Sequence, residues 1–378
     1  MGHVVSDASP GPLAGLRVVD VSTVIAGPNC ARHLGDFGAD VIKVERPGGD
    51  SMRDMAWRDP RDGSGLWWQM CNRNKRTICL DLKAPDDLEV LRQLLREADV
   101  LVENFRPGAL ERLGLAPDEL IAANPRLVVT RVSGFGQDGP YRNRAGFASI
   151  AESMSGFAAL NGEPDGAPML PPIALTDELT GLAAAFATMV ALHSGVGQVV
   201  DVNLLESILS IMTPLVSLYG VTGEQQPRLG SGLPYSVPRG VYRCADGRWV
   251  GISASSNSVA LRVAGLLGLG GDERFATFGA RMRHRDEMES RMADWCSART
   301  RDDVIATMEA ADAAVGPVYD MADIATDPHL AARQAIVDLD GTPMQNMIAR
   351  LSATPGRLRW KGRGLDADGE SIRRDGWG

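Results

Sequence analysis

Lysine is scarce in this chain: Lys43, Lys75, Lys83 and Lys361 are the only four, and arginine supplies the rest of the 39 basic residues. Acidic residues number 48, for a formal net charge of −9, so the basic face that a phosphate backbone rewards is missing and nucleic-acid binding is not expected. Cysteine is sparse as well, with five widely spaced residues (Cys30, Cys71, Cys79, Cys244, Cys296) and no CxxC. The five histidines form no HExxH, so neither a structural zinc nor a disulfide framework is expected. Free thiols suit a reducing cytoplasm. No run of 18 apolar residues exists to span a bilayer. Residues 1–11 lack a basic n-region and an apolar h-region, so they read as a loose leader rather than a signal peptide.

What is present suits a two-domain globular chain: 378 residues, 44% apolar and 23% charged. Residues 15–22 (GLRVVDVS) read as a strand, 28–38 as a helix opened by proline and closed by glycine, and 39–45 (ADVIKVE) as a second strand before the turn 46–50. The pattern continues with strands at 77–82, 99–103 and 127–132 and helices at 86–97 and 117–123. Such alternation predicts an α/β, Rossmann-like large domain with a mostly parallel sheet. Helices at 146–162, 177–193 and 203–219 and a strand at 198–202 extend it, giving a large domain over 1–219. Residues 220–238, rich in Gly, Pro and Gln, read as a linker. A smaller α+β domain over 239–330 opens on a hairpin around Asp246-Gly247, with helices at 258–267, 284–298 and 301–311. Residues 331–378, with short strands and turns, read as a return segment to the large domain.

The turn after the first strand (STVIAGP, 22–28) has no GxGxxG, and no Walker A sequence occurs, so neither a nicotinamide dehydrogenase nor a nucleotide site is supported. No GxSxG exists, and SGFG at 133–136 has no histidine partner. Basic residues cluster near strand ends and the loops beyond: Arg46, Lys75, Arg76, Lys83, Arg106 and Arg112. Guanidinium forks fit phosphate oxygens, although on composition alone solvated decoration explains them better. Asp177, in LTDELTG (175–181), stands before an Ala-rich helix. It is either an N-cap, the commoner role, or a carboxylate nucleophile kept ionised by the helix dipole. Asp201 lies in a strand and reads as structural.

The segments PLAGLRVVDVSTVIAGP (12–28), LGDFGADVIKVERPGGD (34–50), NKRTICLDLK (74–83), VENFRPGALERLG (102–114), GEPDGAP (162–168), TDELTGL (176–182) and GVGQVVDVNLLES (195–207), taken in order, resemble the class III CoA-transferases. That superfamily includes formyl-CoA transferase, carnitine CoA-transferase and α-methylacyl-CoA racemase. The resemblance implies that Asp177 is the nucleophile, forming an aspartyl–acyl anhydride and then an aspartyl–CoA thioester. It implies CoA contacts at Arg46, Leu80, Lys83, Asn104, Phe105, Ala109 and Arg112, with acyl-CoA and a carboxylic acid as substrates and no permanently bound cofactor. An interlocked, ring-like homodimer is implied too, and Gly230–Gly232 is a candidate lid. Two positions depart from the pattern: Ile25 stands where formyl-CoA transferase has glutamine, and Phe147 and Ala148 stand where the racemase has His-Asp. An aromatic ring cannot reprotonate an α-carbon, which disfavours racemisation. The apolar pair leads us to expect a bulkier or less polar acid than oxalate. The alternatives are an acyl-CoA isomerase using Asp177 as base and a non-catalytic acyl-CoA-binding subunit.

Overall fold

A computed structural model describes residues 11–378, so the leader reading of 1–11 lies, Gly11 excepted, outside the described residues. The chain groups into two compact units. The first takes the described residues through Ser155, Pro171–Met212 and His329–Gly378; the second takes Gly156–Leu170 and Thr213–Pro328.

The first unit is built on a six-stranded, all-parallel sheet: β1 Arg17–Asp20, β2 Asp40–Glu45, β3 Lys75–Cys79, β4 Val100–Glu103, β5 Val128–Ser133 and β6 Gln198–Asn203. Their order is β3-β2-β1-β4-β5-β6, the doubly wound arrangement that the alternation predicted. Val18, Val19, Val41, Ile42, Leu101 and Val129 are wholly inaccessible because both faces of a parallel sheet are covered. The order reverses between β1 and β4, and a sheet of this kind opens a ligand crevice there, outside its carboxyl ends.

Helix Leu175–Ser194 has the length and apolar composition that a membrane span needs, yet it opens on Asp177 and Glu178 and packs on helix Ala26–Asp36. Gly181 makes that packing close: a Cβ there would stand 2.7 Å from Asn29 Cβ. Its outer side leaves Leu182, Phe186 and Val190 exposed at four-residue spacing. Two helices expected as continuous are broken. The 146–162 stretch splits into Ala148–Met154 and Phe157–Leu160 at Gly156, whose φ is +90°. The 203–219 stretch splits into Leu204–Ser210 and Leu215–Thr222 around Pro214, which cannot continue a helix from the preceding turn. The tail adds the antiparallel pair β10 Ile336–Leu339 and β11 Thr342–Gln345, as the short strands expected there, then a helix, Gly369–Asp375, that was not expected. Trp377 Nε1 ties that end to the Leu94 carbonyl at 3.1 Å.

The second unit holds an antiparallel sheet of β7 Arg239–Arg243, β8 Trp249–Ser253 and β9 Ala314–Pro317, with helices Asn257–Leu266, Arg285–Ser297 and Arg301–Ala310. β9 had no sequence signal. Residues 156–170, expected in the large domain, group here because Arg228 donates to the carbonyls of Ala159, Glu163 and Gly166. The stretch read as a linker ends in a packed core: Val237 is buried with Ala264, Leu269, Phe275 and Met288. Gly230 N–H, in the candidate lid, donates to Gly162 O at 3.2 Å.

Candidate active site

A cavity of about 240 Å³ opens at the sheet reversal. Its walls come from the turn after β1 (Thr23–Ala26), the run after β4 (Asn104–Pro107), the end of β5, the 142–147 loop, Leu204 and Asp177. All belong to the first unit.

Asp177 sits in the first turn of its helix, but the N-cap position is Ala174 and no side chain caps the helix. The capping role is therefore not the one the carboxylate plays. Among the described residues no hydrogen-bond donor or cation engages it, so its oxygens keep their lone pairs. Burial, with the nearby Glu152 and Glu178 carboxylates, raises its pKa from 3.8 to about 6. Glu152, on the 148–154 helix, is buried and accepts a 2.9 Å hydrogen bond from Thr176 Oγ1. Glu178 points elsewhere, toward Arg32 at 3.2 Å.

The turn after β1 is held from three sides. Asn104 takes Thr23 N–H at 2.8 Å and gives its amide to Thr23 O at 2.7 Å. Asp50 accepts Val24 N–H at 3.3 Å, and Val24 sits at φ +67°, a conformation that a β-branched residue adopts only under constraint. Beneath lies a buried charge cluster: Lys43 donates to Ser22 O and stands 3.4 Å from Asp50, while Lys75 contacts Asp20 at 2.9 Å. Burial opposes ionisation of Asp20, but Lys43 and Lys75 with the Ser22 bond hold its carboxyl below the ordinary range. Ile25 packs with Met52, Trp68 and Cys71 and leads into helix Ala26–Asp36, whose N-terminus carries no side-chain cap.

Of the residues singled out from sequence, Asp177, Asn104, Phe105 and Arg106 line this cavity together, with Ile25 and Phe147. Arg46, Leu80, Lys83, Ala109 and Arg112 do not, although Arg46 and Leu80 follow the carboxyl ends of β2 and β3 directly. Leu80 has its side chain in the hydrophobic core, and the Asn104 amide is committed to Thr23. Arg46, Lys83 and Arg112 are exposed and have no ion pair among the described residues. Two members of the basic cluster leave it. Lys75 and Arg76 begin β3 rather than preceding a strand, Lys75 being buried against Asp20 and Arg76 paired with Asp40 at 2.6 Å.

Among the described residues no histidine or cysteine lines the cavity. Burial and the neighbouring Arg32 depress His33 to about 3, burial pushes Cys30 up to about 12, and the described residues contain no cluster able to hold a metal. Asp201 is structural in its bonding, accepting Gln137 N–H at 2.9 Å. Sequence reasoning missed Glu152, Arg142, Arg144 and the Asn104–Thr23 clamp. None has a local pattern: Arg142, Arg144, Asn104 and Thr23 come together on the cavity wall, and Glu152 is bonded to Thr176, next to Asp177.

A family model described as CoA-transferase family III matches residues 13–368. The chain is 41% identical to the succinyl-CoA–D-citramalate CoA-transferase of Chloroflexus aurantiacus, covering 98% of this chain and 95% of that one. It is 39% identical to the β subunit of succinyl-CoA–L-malate CoA-transferase of the same organism, covering 96% and 94%. Among solved structures, a CAIB/BAIF family protein from Brucella suis superimposes with a TM-score of 0.86 at 33% identity, covering 97% of this chain and 99% of that one.

Proposed function

The chain belongs to CoA-transferase family III, and on that premise we propose that it moves coenzyme A from an acyl-CoA to a carboxylic acid with the Asp177 carboxylate as transient carrier. One observation carries the reading: a carboxylate without a hydrogen-bond donor or cation lines the crevice at the β1/β4 reversal. With a pKa of about 6 it is mostly ionised at neutral pH yet more basic than a solvated aspartate, which favours nucleophilic attack.

An Asp177 oxygen attacks the thioester carbonyl carbon, and the C–S bond breaks to release CoA thiolate and leave an aspartyl–acyl anhydride. The thiolate attacks the aspartyl carbonyl, the donor acid departs as its carboxylate, and an aspartyl–CoA thioester remains. An acceptor carboxylate attacks that carbonyl and expels the thiolate. The thiolate then takes the acceptor acyl group, and Asp177 is free again. No step consumes water, and covalent capture keeps the energy of the thioester in the new one. Each tetrahedral intermediate needs N–H donors, and the uncapped start of the 26–36 helix supports that role.

Arg46, Lys83, Asn104, Phe105, Ala109 and Arg112, with the Leu80 backbone, belong to the same reading as the CoA path. Exposed cations beyond the carboxyl strand ends suit its phosphates. The interlocked homodimer belongs to it too, supported by the exposed Leu182, Phe186 and Val190 stripe. Phe186→Glu is expected to lower the thermal unfolding midpoint of the protein, since it puts a charge in the seam; an unchanged midpoint would remove that helix face from the interface.

The deciding experiment is hydroxylamine trapping during turnover with peptide mapping. A hydroxamate on Asp177 is expected, together with loss of transfer in Asp177→Ala. Unmodified Asp177 under turnover, or transfer retained in the variant, would overturn the reading.

A further inference from the structure

Val24 sits at φ +67° on the wall of the Asp177 cavity, and a β-branched residue keeps that conformation only where its surroundings over-determine it. One constraint is the Asp50 carboxylate, which accepts Val24 N–H at 3.3 Å. Asp50 is itself buried and held. Its own N–H donates to Glu45 Oε2 at 3.0 Å, and its Oδ1 accepts Met52 N–H at 2.9 Å.

Glu45 carries the network away from the cavity. Both of its oxygens are taken by one guanidinium fork, Arg53 Nε on Oε2 and Nη2 on Oε1, each at 2.7 Å. Arg53 lies 3.6 Å over the Trp68 ring and donates to Arg363 O at 3.2 Å. Trp68 Nε1 donates to the same carbonyl at 2.8 Å. Gly362 lets the return segment come this close, since a Cβ there would stand 2.5 Å from Trp68 O. Trp68 in turn packs with Ile25, the residue after Val24 on the cavity wall. Arg363 O is thereby joined to the wall by two lines, one of charged hydrogen bonds and one of packing.

We propose that Arg53 is a positioning residue for CoA transfer: steadied by the Arg363 carbonyl and the Trp68 ring, it holds Glu45 and through it Asp50, so that Val24 keeps its left-handed turn. The proposal rests on the Asp177 reading and deepens it by naming what sets the wall opposite the nucleophile. Val24 stands two residues before helix Ala26–Asp36, whose uncapped start supplies the N–H donors of that reading. A turn relaxed into an ordinary conformation would aim those donors elsewhere, and chemistry would suffer more than binding. Arg53 itself does not line the cavity, so its effect must pass through Glu45, Asp50 and Val24. The return segment thus contributes to the site without entering it.

The test is isotope exchange between succinyl-CoA and labelled succinate with purified full-length protein, at matched folded fraction. Arg53→Gln is expected to lower kcat roughly tenfold or more, with KM for the CoA ester changed less than about threefold. Arg53→Lys keeps a charge for Glu45 without the fork and should recover part of kcat; it carries the same comparison if Arg53→Gln does not fold. The decisive background is Val24→Gly, because glycine adopts a positive φ without being forced. There the Arg53 substitution is expected to cost under about threefold in kcat, a non-additivity that a merely structural role would not produce. An equal kcat loss in both backgrounds, a loss confined to KM, or no loss at all overturns the proposal alone, provided that the wild type exchanges and forms a hydroxamate on Asp177. Wild-type protein that does neither defeats the carrier reading and this proposal with it.

Discussion

Glu152 Oε1 accepts the hydroxyl hydrogen of Thr176 at 2.9 Å, and this bond fixes a buried carboxylate beside the residue that follows Thr176 in sequence, Asp177. The bond holds Glu152 in place, and its charge joins burial and Glu178 in raising the Asp177 pKa. Glu152 is in this sense a positioning and tuning residue, acting through Asp177.

Replacing Glu152 by Gln keeps a hydrogen-bond acceptor for Thr176 and removes the charge. Attack needs ionised Asp177, so transfer in the wild type is expected to decline as pH falls through about 6. In Glu152→Gln the acid limb of kcat/KM against pH should move to lower pH, with rate at neutral pH reduced because the nucleophile is less basic. An acid limb that stays in place would separate Glu152 from the titration.

The raised pKa also has a stability consequence of definite sign. Folded Asp177 holds its proton more tightly than the unfolded chain does, so stability falls as pH rises from 3.8 through about 6. Asp177→Asn should therefore stabilise the fold above pH 6, on the order of 1–3 kcal/mol, with the gain fading toward pH 3.8. Thermal unfolding across that range checks it; a variant less stable than wild type at pH 7 would contradict it.

Lys43 is buried and shared among Ser22 O, Asp20 and Asp50. Lys43→Met leaves two carboxylates short of a cation and is expected to cost about 3–5 kcal/mol. Since Asp50 also holds Val24 N–H at the cavity wall, residual folded protein should show reduced kcat. Denaturant titration with activity at matched folded fraction measures both; a loss under about 1 kcal/mol would mean the cluster is not the support described.

Arg112 is exposed and has no ion pair, so removing it should leave the fold intact. Arg112→Ala is expected to raise KM for the CoA ester about tenfold with a smaller change in kcat, as loss of a phosphate contact does. An unchanged KM would take Arg112 off the CoA path.

The parallel sheet was legible because each strand is a short β-branched run bounded by turn residues, which is local information. Asp177 was legible as chemistry but not as geometry. LTDELTG allowed a cap or a nucleophile, and the placement of Ala174 at the N-cap position removed the first of these. Lys75 illustrates the reverse: its type and its neighbour Arg76 suggested a phosphate contact, and burial against Asp20 removed it. β9 escaped notice because its pairing partner β8 lies far away in the chain, and the C-terminal helix Gly369–Asp375 because it is a short helix packed against distant β3.

The order of residues was enough to set the strand-helix alternation and the family resemblance and to single out Asp177, since these depend on side-chain type and short spacing. Which cations are free, which carboxylate is tuned and which arginines share its cavity depend on desolvation and on neighbours brought together by folding. Position 152 comes beside position 177 only because two helices pack.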